Sequence, residues 1–225
     1  MKDGFIRVAA ATPDIHVADP QYNSEQIIEL MEQGSARGVK VMVFPELCLT
    51  AYTCSDLFLQ ETLLKEAKNG LKRILQSSKS KDMVLFVGMP WMHKGKLYNV
   101  AAVLNRGRIL GIVPKKHLPN YSEFYELRHF NPGMEKVEMT EWEGLQIPMG
   151  MKLLFSCRTM PELVLAAELC EDVWVPCPPS ISHALAGATV IANCSASDET
   201  TGKDRYRYDL ICGQSARLVC GYIYA

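Results

Sequence analysis

The first part of the chain alternates short apolar runs with segments in which apolar residues recur every three or four positions. Residues 5–11, 39–44 and 83–88 are apolar or β-branched runs, and they predict buried strands. Residues 23–38 predict a helix that begins at polar capping residues and ends at a glycine. Residues 55–75 predict a second helix, with apolar side chains on one face and lysines on the other. This alternation is typical of an α/β fold.

The connections between strands change after residue 96. Two apolar strands, at residues 97–104 and 108–113, are joined by Asn105-Arg106-Gly107, a sequence typical of a hairpin turn. Further strands are predicted at residues 163–169 and 188–192, with a proline-rich loop at 176–179 between them. A helix at 204–218 precedes a last strand at 219–225. Hairpins combined with strand–helix alternation predict an α/β layered sandwich with a mixed sheet.

We expect residues 1–225 to form a single domain, because no repeat, low-complexity segment or long linker divides them. The length is sufficient for one large hydrophobic core. The last residues, 218–225, form an apolar strand with no closing turn or helix, whereas chain termini tend to be polar and frayed. We therefore expect this domain to be truncated at its C-terminal side and to be part of a longer protein.

The composition excludes several classes of protein. Of the 225 residues, 48% are hydrophobic and 22% are charged, which is too apolar for a disordered chain. Twenty-four basic residues against 25 acidic ones leave a net charge of -1, without the basic footprint of a nucleic-acid binder. No apolar run approaches the roughly 20 residues of a membrane span, and the charged start leads into a strand instead of a signal peptide. The sequence predicts a cytoplasmic protein with neither nucleic acid nor membrane as partner.

The eight cysteines are expected to be mostly free thiols in a reducing compartment, since the chain is long and rich in core residues. They contain no CxxC pair, and the five histidines do not cluster near them, so no metal site is expected. Most of these cysteines should be small buried hydrophobic residues. They are Cys48, Cys54, Cys157, Cys170, Cys177, Cys194, Cys212 and Cys220.

Three ionisable side chains directly follow predicted strands. Glu46 follows VMVFP, Lys115 follows ILGIVP, and Cys170 follows LVLAAEL. Reactive groups in α/β folds collect just beyond the carboxyl ends of strands, where several loops converge. A carboxylate that accepts the thiol proton, a thiolate that attacks and an ammonium that stabilises the oxyanion are sufficient for acyl transfer.

Each of these residues also has an ordinary structural explanation. Glu46 is compatible with capping a helix N-terminus, Lys115 with a solvated strand end, and Cys170 with a buried core thiol. A papain-like pairing of Cys170 with His117 or His183 is a further alternative, although neither histidine has a neighbouring Asn or Asp signature. The residues alone leave these alternatives open.

The motifs around the three residues resemble those of a known family. FPELCLTAY, VPKKHLPNYSEFYE and ELCEDVW contain Glu46, Lys115 and Cys170, at separations of 69 and 55 residues. They resemble the three catalytic motifs of the nitrilase, or carbon–nitrogen hydrolase, superfamily. YTCSDLF, LPNYSEFYELRHFNPG and ELCEDVWVPCPPS more narrowly resemble the N-terminal glutaminase domains of glutamine-dependent NAD synthetases. The resemblance implies a four-layer αββα sandwich with mixed sheets.

The same resemblance implies roles for individual residues. Glu46 would be the general base, Cys170 the nucleophile, and Lys115, rather than its neighbour Lys116, the lysine that stabilises the oxyanion together with the backbone N–H of Glu171. A second glutamate, Glu126, would position Lys115 or the attacking water. The residues implied to line the substrate pocket are Tyr52, Tyr121, Glu171, Trp174, Ser197 and Lys203. Lys203 departs from the family, which carries an arginine there toward the substrate carboxylate, and lysine lacks its bidentate fork.

The resemblance implies that the domain hydrolyses glutamine through a cysteine thioester and supplies ammonia for NAD synthesis. It implies no metal or cofactor for this domain; ATP and Mg would serve only the absent synthetase domain, whose SGGxDS loop the chain lacks. The implied partners are glutamine or another small amide, that synthetase domain, and further copies in a homo-oligomer. Two alternatives stay open: an amidase acting on another small amide or carbamoyl compound, and an inert interaction fragment.

Overall fold

Two mixed β-sheets lie face to face, and helices cover the outer face of each. The computed structural model describes residues 4–225. The charged start, which the sequence analysis distinguishes from a signal peptide, includes residues 1–3 and so lies partly outside the described residues. The helices are α1 (Pro20–Ala36), α2 (Glu61–Ser78), α3 (Glu126–His129), α4 (Pro179–Leu185) and α5 (Lys203–Leu218). The strands are β1 (Arg7–Ala10), β2 (Val39–Val43), β3 (Val84–His93), β4 (Lys96–Asn105), β5 (Arg108–Pro114), β6 (Glu138–Trp142), β7 (Leu145–Met149), β8 (Phe155–Cys157), β9 (Met160–Leu169), β10 (Val190–Cys194) and β11 (Gly221–Tyr224).

The larger sheet has seven strands in the order β1-β2-β3-β4-β5-β7-β6. Strands β1, β2 and β3 are parallel, β4 and β5 continue as antiparallel hairpins, and β7 pairs parallel with β5 and antiparallel with β6. The smaller sheet has the order β11-β10-β9-β8, with three parallel strands and β8 antiparallel to β9. Both sheets are therefore mixed, as the sequence predicts.

Three buried apolar layers hold the sandwich together. Ile27 of α1 and Leu71 of α2 pack against the outer face of the larger sheet, in a cluster that includes Leu104. Phe86 and Leu165 belong to a second cluster between the two sheets. A smaller cluster lies between the four-stranded sheet and the helices α4 and α5. The resulting order of layers, α-β-β-α, confirms the four-layer fold predicted from the motifs.

Strands β6, β7 and β8 and helix α4 are absent from the sequence-based prediction. The hairpin of β6 and β7 was missed because these strands contain charged residues and Pro148 instead of an apolar run. Only Thr140 and Trp142 of β6 are buried, in alternation with more exposed residues. The available signal was the Glu143-Gly144 turn, in which both residues have positive φ.

Two predicted elements differ from the structure in detail. The helix predicted at 55–75 is a 3-10 helix, Ser55–Leu59, followed by α2, because Gln60 between them is extended with φ -93° and ψ 126°. Strand β1 was predicted to be buried, but it lies at the edge of the larger sheet and Val8 is exposed. Every helix within residues 4–225 is too short or too polar to cross a bilayer.

Candidate active site

The ends of β2, β5 and β9 bring three ionisable residues into the interior. Glu46, Lys115 and Cys170 follow these strands and are 1%, 0% and 5% exposed, respectively. The loop carrying Glu46 packs directly on β3 at Gly88, where a Cβ atom would lie only 2.3 Å from the carbonyl oxygen of Pro45. Glycine at this position therefore permits the close approach that seats Glu46 in the site.

Lys115 lies between two carboxylates. Its Nζ donates hydrogen bonds to Glu46 Oε1 at 2.6 Å and to Glu126 Oε1 at 2.5 Å. Burial alone would lower the pKa of Lys115, but the negative charges of Glu46 and Glu126 and the hydrogen bond to Glu126 favour the ammonium form, and the net shift is upward. Lys115 therefore carries its positive charge at neutral pH. Its neighbour Lys116 is only half-buried and its ammonium group is absent from this pairing.

Glu126, the first residue of α3, is held by side chains from two other elements. The Tyr52 hydroxyl donates to Glu126 Oε1 at 2.8 Å, and Asn99 Nδ2 on β4 lies 3.4 Å from Oε2. Burial and the charge of Glu46 raise the pKa of Glu126 to about 7, although Lys115 and Tyr52 favour the carboxylate. Sequence reasoning missed Asn99, for which the available signal was a lone polar residue in the apolar run of β4.

Glu46 retains one free oxygen in this arrangement. Its Oε1 accepts from both Lys115 and Asn99, the latter at 2.6 Å, whereas Oε2 is buried and has no hydrogen-bond partner within residues 4–225. A buried carboxylate oxygen without a donor is costly unless a proton or a ligand reaches it. Glu46 Oε2 is therefore suited to accept a proton from a reacting group.

Cys170 begins a 3-10 helix, Cys170–Val173, directly after β9, and its backbone is left-handed with φ 39°. Burial and the charge of Glu46 raise the pKa of the thiol to about 12, and the opposing effects of Lys115 and Ser195 are smaller. The raised pKa favours the protonated thiol at neutral pH, so a base is needed to form the thiolate.

Alkylation of Cys170 by iodoacetamide is expected to keep accelerating up to about pH 10, because only the thiolate reacts and its fraction is still rising there. An ordinary cysteine, with a pKa of about 8.5, levels off near that pH. Glu46→Gln removes a negative charge beside the thiol, so this variant should react faster than the native chain at pH 8. Peptide mass spectrometry at several pH values measures the rate. A rate that levels off by about pH 10, as for an ordinary cysteine, would contradict the raised thiol pKa.

Asp172 ties the loop of Lys115 to the turn of Cys170. Its buried carboxylate accepts hydrogen bonds from the backbone N–H groups of Leu169 at 3.0 Å, His117 at 2.8 Å and Lys116 at 3.4 Å. Two strand ends that are 55 residues apart in sequence are therefore joined through one side chain. Sequence reasoning missed this residue, because nothing in ELCEDVW indicates that its partners lie in another loop.

The papain-like alternative has no geometric support. Nε2 of His183 contacts the carbonyl oxygen of Met151 at 2.8 Å. His117 reaches Asp172 through its backbone N–H, and its Nε2 has no partner among the described residues. Neither imidazole is hydrogen-bonded to Cys170, which has instead a carboxylate and an ammonium group beside it.

The remaining predicted pocket residues form two groups near the triad. The Tyr121 hydroxyl contacts both carboxylate oxygens of Glu171, at 3.1 and 3.0 Å. Lys203 Nζ lies 5.1 Å from the centre of the Trp174 ring and forms an ion pair with Asp198. Lys203 is therefore already neutralised by Asp198, which sequence reasoning missed.

A cavity of about 420 Å³ opens beside Glu46 and Tyr52. Ser197 also lines it, as does Arg207, whose guanidinium donates to the Asp198 carbonyl oxygen and to Glu199. Arg207 was not predicted; it belongs to α5 and reaches the cavity only through the tertiary fold. Residues 4–225 contain no group of three or more His, Cys, Asp or Glu side chains that could hold a metal ion.

Comparison with known proteins finds relatives over nearly the whole of this chain. The chain is 40% identical over 222 residues to the glutamine-dependent NAD(+) synthetase of Mycobacterium tuberculosis (strain ATCC 25618 / H37Rv), covering 99% of this chain and 33% of that protein. It is 32% identical over 220 residues to the Aquifex aeolicus (strain VF5) protein of the same name, covering 98% and 35%. The chain thus spans about a third of the length of the curated relatives it matches.

Solved structures share the fold. A glutamine-dependent NAD(+) synthetase from Cytophaga hutchinsonii superposes with a TM-score of 0.87 at 29% identity, covering 98% of this chain and 35% of that chain. An amidase from Nesterenkonia sp. superposes with a TM-score of 0.75 at 19% identity, covering 98% and 75%, which shows a common fold. The family described as carbon-nitrogen hydrolase matches residues 7–225. The family predicted from the motifs is confirmed: this chain belongs to the carbon–nitrogen hydrolases.

Proposed function

We propose that this chain is the glutamine-hydrolysing part of a glutamine-dependent NAD synthetase. The observation that carries the proposal is the buried Lys115, held between Glu46 and Glu126 beside the Cys170 thiol. This set provides a base, an oxyanion-stabilising cation and a nucleophile for acyl transfer. The relatives at 40% identity carry that enzyme's name and support glutamine as the substrate.

The reaction begins with transfer of the thiol proton of Cys170 to Glu46 Oε2, the oxygen that lacks a partner. The thiolate adds to the carboxamide carbon of glutamine, and the oxyanion is stabilised by Lys115 and the backbone N–H of Glu171. The first N–H groups of a helix have no intrahelical acceptor, so that of Glu171 is suited to this task. The C–N bond then breaks, Glu46 returns the proton to the departing ammonia, and a γ-glutamyl thioester remains.

Water completes the cycle. Glu46 takes a proton from a water molecule while the water oxygen adds to the thioester carbonyl. The C–S bond then breaks, Glu46 passes the proton to the departing sulfur, and glutamate is released with the thiol regenerated. Glu126 holds Lys115 in place throughout, and Tyr52 in turn holds Glu126. We assign no metal or cofactor to these steps, because side chains of this site transfer each proton, and Lys115 with the backbone N–H of Glu171 stabilises the oxyanion.

Recognition of the amino-acid part of glutamine is assigned to residues around the mouth of the site. Glu171, oriented by Tyr121, is suited to the α-ammonium group. Lys203 and Ser197 are suited to the α-carboxylate, with Trp174 covering the side-chain stem. Because Lys203 already pairs with Asp198, a bound carboxylate would share this cation with Asp198 or displace it.

The longer relatives have room for the domain that would consume the ammonia. We assign ATP and Mg to that synthetase domain and none to this chain. We further place the enzyme in the cytoplasm as a homo-oligomer. A second candidate function is hydrolysis of another small amide, which the shared fold of the Nesterenkonia amidase favours.

Active-site labelling tests the proposal. The purified chain is treated with a diazo-ketone analogue of glutamine or with iodoacetamide, and adducts are located by mass spectrometry. We expect a selective analogue adduct on Cys170 that is blocked by glutamine, slowed in Glu46→Gln and absent in Cys170→Ser. Iodoacetamide labelling of Cys170 without the analogue adduct would move the substrate from glutamine to another amide. Reactivity no greater than that of the other seven cysteines toward the analogue would favour the inert-fragment alternative.

A further inference from the structure

The nucleophile sits on a backbone turn that needs external support. Cys170 has φ 39°, in the left-handed region that residues with a Cβ atom rarely adopt. Such a conformation persists only where surrounding contacts hold it, and it is frequent at active sites. The contact that supports this turn comes from β10, where Asn193 Oδ1 accepts the backbone N–H of Cys170 at 3.1 Å.

The amide of Asn193 can adopt only one orientation. A backbone N–H only donates, so the acceptor Oδ1 must face Cys170, and Nδ2 is left to donate to the Tyr222 hydroxyl oxygen at 3.0 Å. That hydroxyl then donates to Glu168 Oε1, and Glu168 Oε2 accepts the backbone N–H of Ser180 at 2.7 Å. Asn193 is fully buried and every step of this relay is satisfied.

The relay joins four elements, namely three strands of the smaller sheet and one helix that packs on it. Glu168 pairs in register with Asn193 across β9 and β10, Tyr222 lies on β11, and Ser180 lies in α4. Glu168 lies only two residues before Cys170. The relay therefore holds the end of β9 through Glu168 and the turn of the nucleophile through Asn193. A core asparagine kept solely for packing would not need this directional chain of donors and acceptors.

We propose that Asn193 is a positioning residue for the reaction at Cys170, which rests on the acyl-transfer function proposed above. Its side-chain carbonyl keeps the turn left-handed and so holds Sγ beside Glu46 and Lys115. Because Asn193 already occupies the Cys170 N–H, that group is not an oxyanion donor. The oxyanion donors that remain are Lys115 and the backbone N–H of Glu171.

The test compares Asn193→Leu, which keeps the volume without an acceptor, with Asn193→Asp, which keeps an acceptor oxygen. We expect Asn193→Leu to lower kcat for glutamine about 100-fold, with KM changed less than about threefold, because misplacing a reacting group by about 1 Å costs this much. Asn193→Asp should restore kcat to within about tenfold of the native value. Asn105→Leu is the matched control. It also removes a partly buried side-chain hydrogen bond, which Asn105 donates to the Met83 carbonyl oxygen, but at the far end of β4.

A second readout follows the thiol itself. When the turn relaxes, Cys170 moves from the charge of Glu46, so the iodoacetamide rate profile of Asn193→Leu should shift to lower pH than the native profile. The proposal would be overturned if folded Asn193→Leu had the same kcat and the same dependence of the iodoacetamide rate on pH as the native chain. Equal losses of kcat in Asn193→Leu and Asn105→Leu would also overturn it. If Asn193→Leu fails to fold, Tyr222→Phe removes the partner that orients the amide. That variant should lower kcat about fivefold at constant KM, and native kinetics and alkylation in it would overturn the proposal.

The two proposals fail in distinguishable ways. A native chain that does not hydrolyse glutamine overturns the proposed function, whereas the alkylation profiles still report whether Asn193 holds the thiol. Glutamine hydrolysis by the native chain that is insensitive to Asn193→Leu overturns only the positioning role.

Discussion

Cys170→Ala is expected to lower the glutamine hydrolysis rate of this chain by about 10⁴-fold or more, to the level of background hydrolysis. The variant lacks the atom that forms the thioester, and neither water nor the remaining groups can replace a covalent intermediate. Glu46→Gln should cost about 10²–10⁴-fold, because the amide cannot accept the thiol proton. Release of ammonia from glutamine, measured with a coupled assay under saturating substrate, gives both values.

The double variant separates a cooperating pair from two independent contributions. Cys170→Ala combined with Glu46→Gln should lose no more activity than Cys170→Ala alone, since Glu46 acts only through the thiol and the thioester. Cys212→Ala, at an exposed cysteine on α5, is the matched control and should retain native activity. Residual activity of Cys170→Ala above about one hundredth of native would exclude Cys170 as the nucleophile.

Lys115→Met is expected to reduce both activity and stability. The substitution leaves Glu46 and Glu126 buried beside each other with no cation, and breaking one partner of a buried ion pair costs about 3–5 kcal/mol. Activity should fall about 10²–10³-fold, because an oxyanion donor is lost. Urea unfolding gives the change in free energy of unfolding, and the ammonia assay gives the change in rate.

The stability loss of Lys115→Met should depend on pH. Burial and the charge of Glu46 already raise the pKa of Glu126 against the opposing effect of Lys115. Without the cation, the folded variant keeps Glu126 protonated at pH values where the unfolded chain, with glutamate pKa values near 4.3, has released that proton. The folded state then binds more protons than the unfolded state, so the stability of the variant falls as pH rises above about 4.5. The deficit relative to the native chain should thus be larger at pH 8 than at pH 5.

Matched variants test whether the buried cation is responsible. Lys116→Met removes the neighbouring lysine, which is absent from the carboxylate pair, and should leave stability and rate near native. Glu126→Gln added to Lys115→Met removes one of the two facing carboxylates and should recover part of the stability but not the activity. Equal losses in Lys115→Met and Lys116→Met would contradict the assignment of Lys115.

Several features of the fold and site followed from local sequence patterns. The apolar runs that end at Glu46, Lys115 and Cys170 predicted strand ends, and the structure brings these three residues together. Their catalytic roles, and those of the pocket residues, stay predictions until the experiments above are made. The prediction missed the β6–β7 hairpin, whose charged residues hide the alternation of buried positions.

The residues that sequence reasoning missed share a physical property. Asp172, Asn193 and Arg207 are recognisable only through partners that lie in other elements. Asn193 contacts a backbone group 23 residues away, and Asp172 contacts one 55 residues away. A hydrogen bond between distant segments produces no local periodicity, so it cannot be predicted from a pattern in the sequence.

The sequence by itself determined the family, the order of strands and helices in most of the chain, and the three residues at strand ends. These features depend on local patterns of hydrophobicity and on short motifs. Only the tertiary structure places Lys115, and not Lys116, between the two carboxylates, and only burial in the folded chain raises the pKa of the Cys170 thiol. Charge–charge interactions and the exclusion of water act through space, and they are established only when the two sheets pack and bury these groups together.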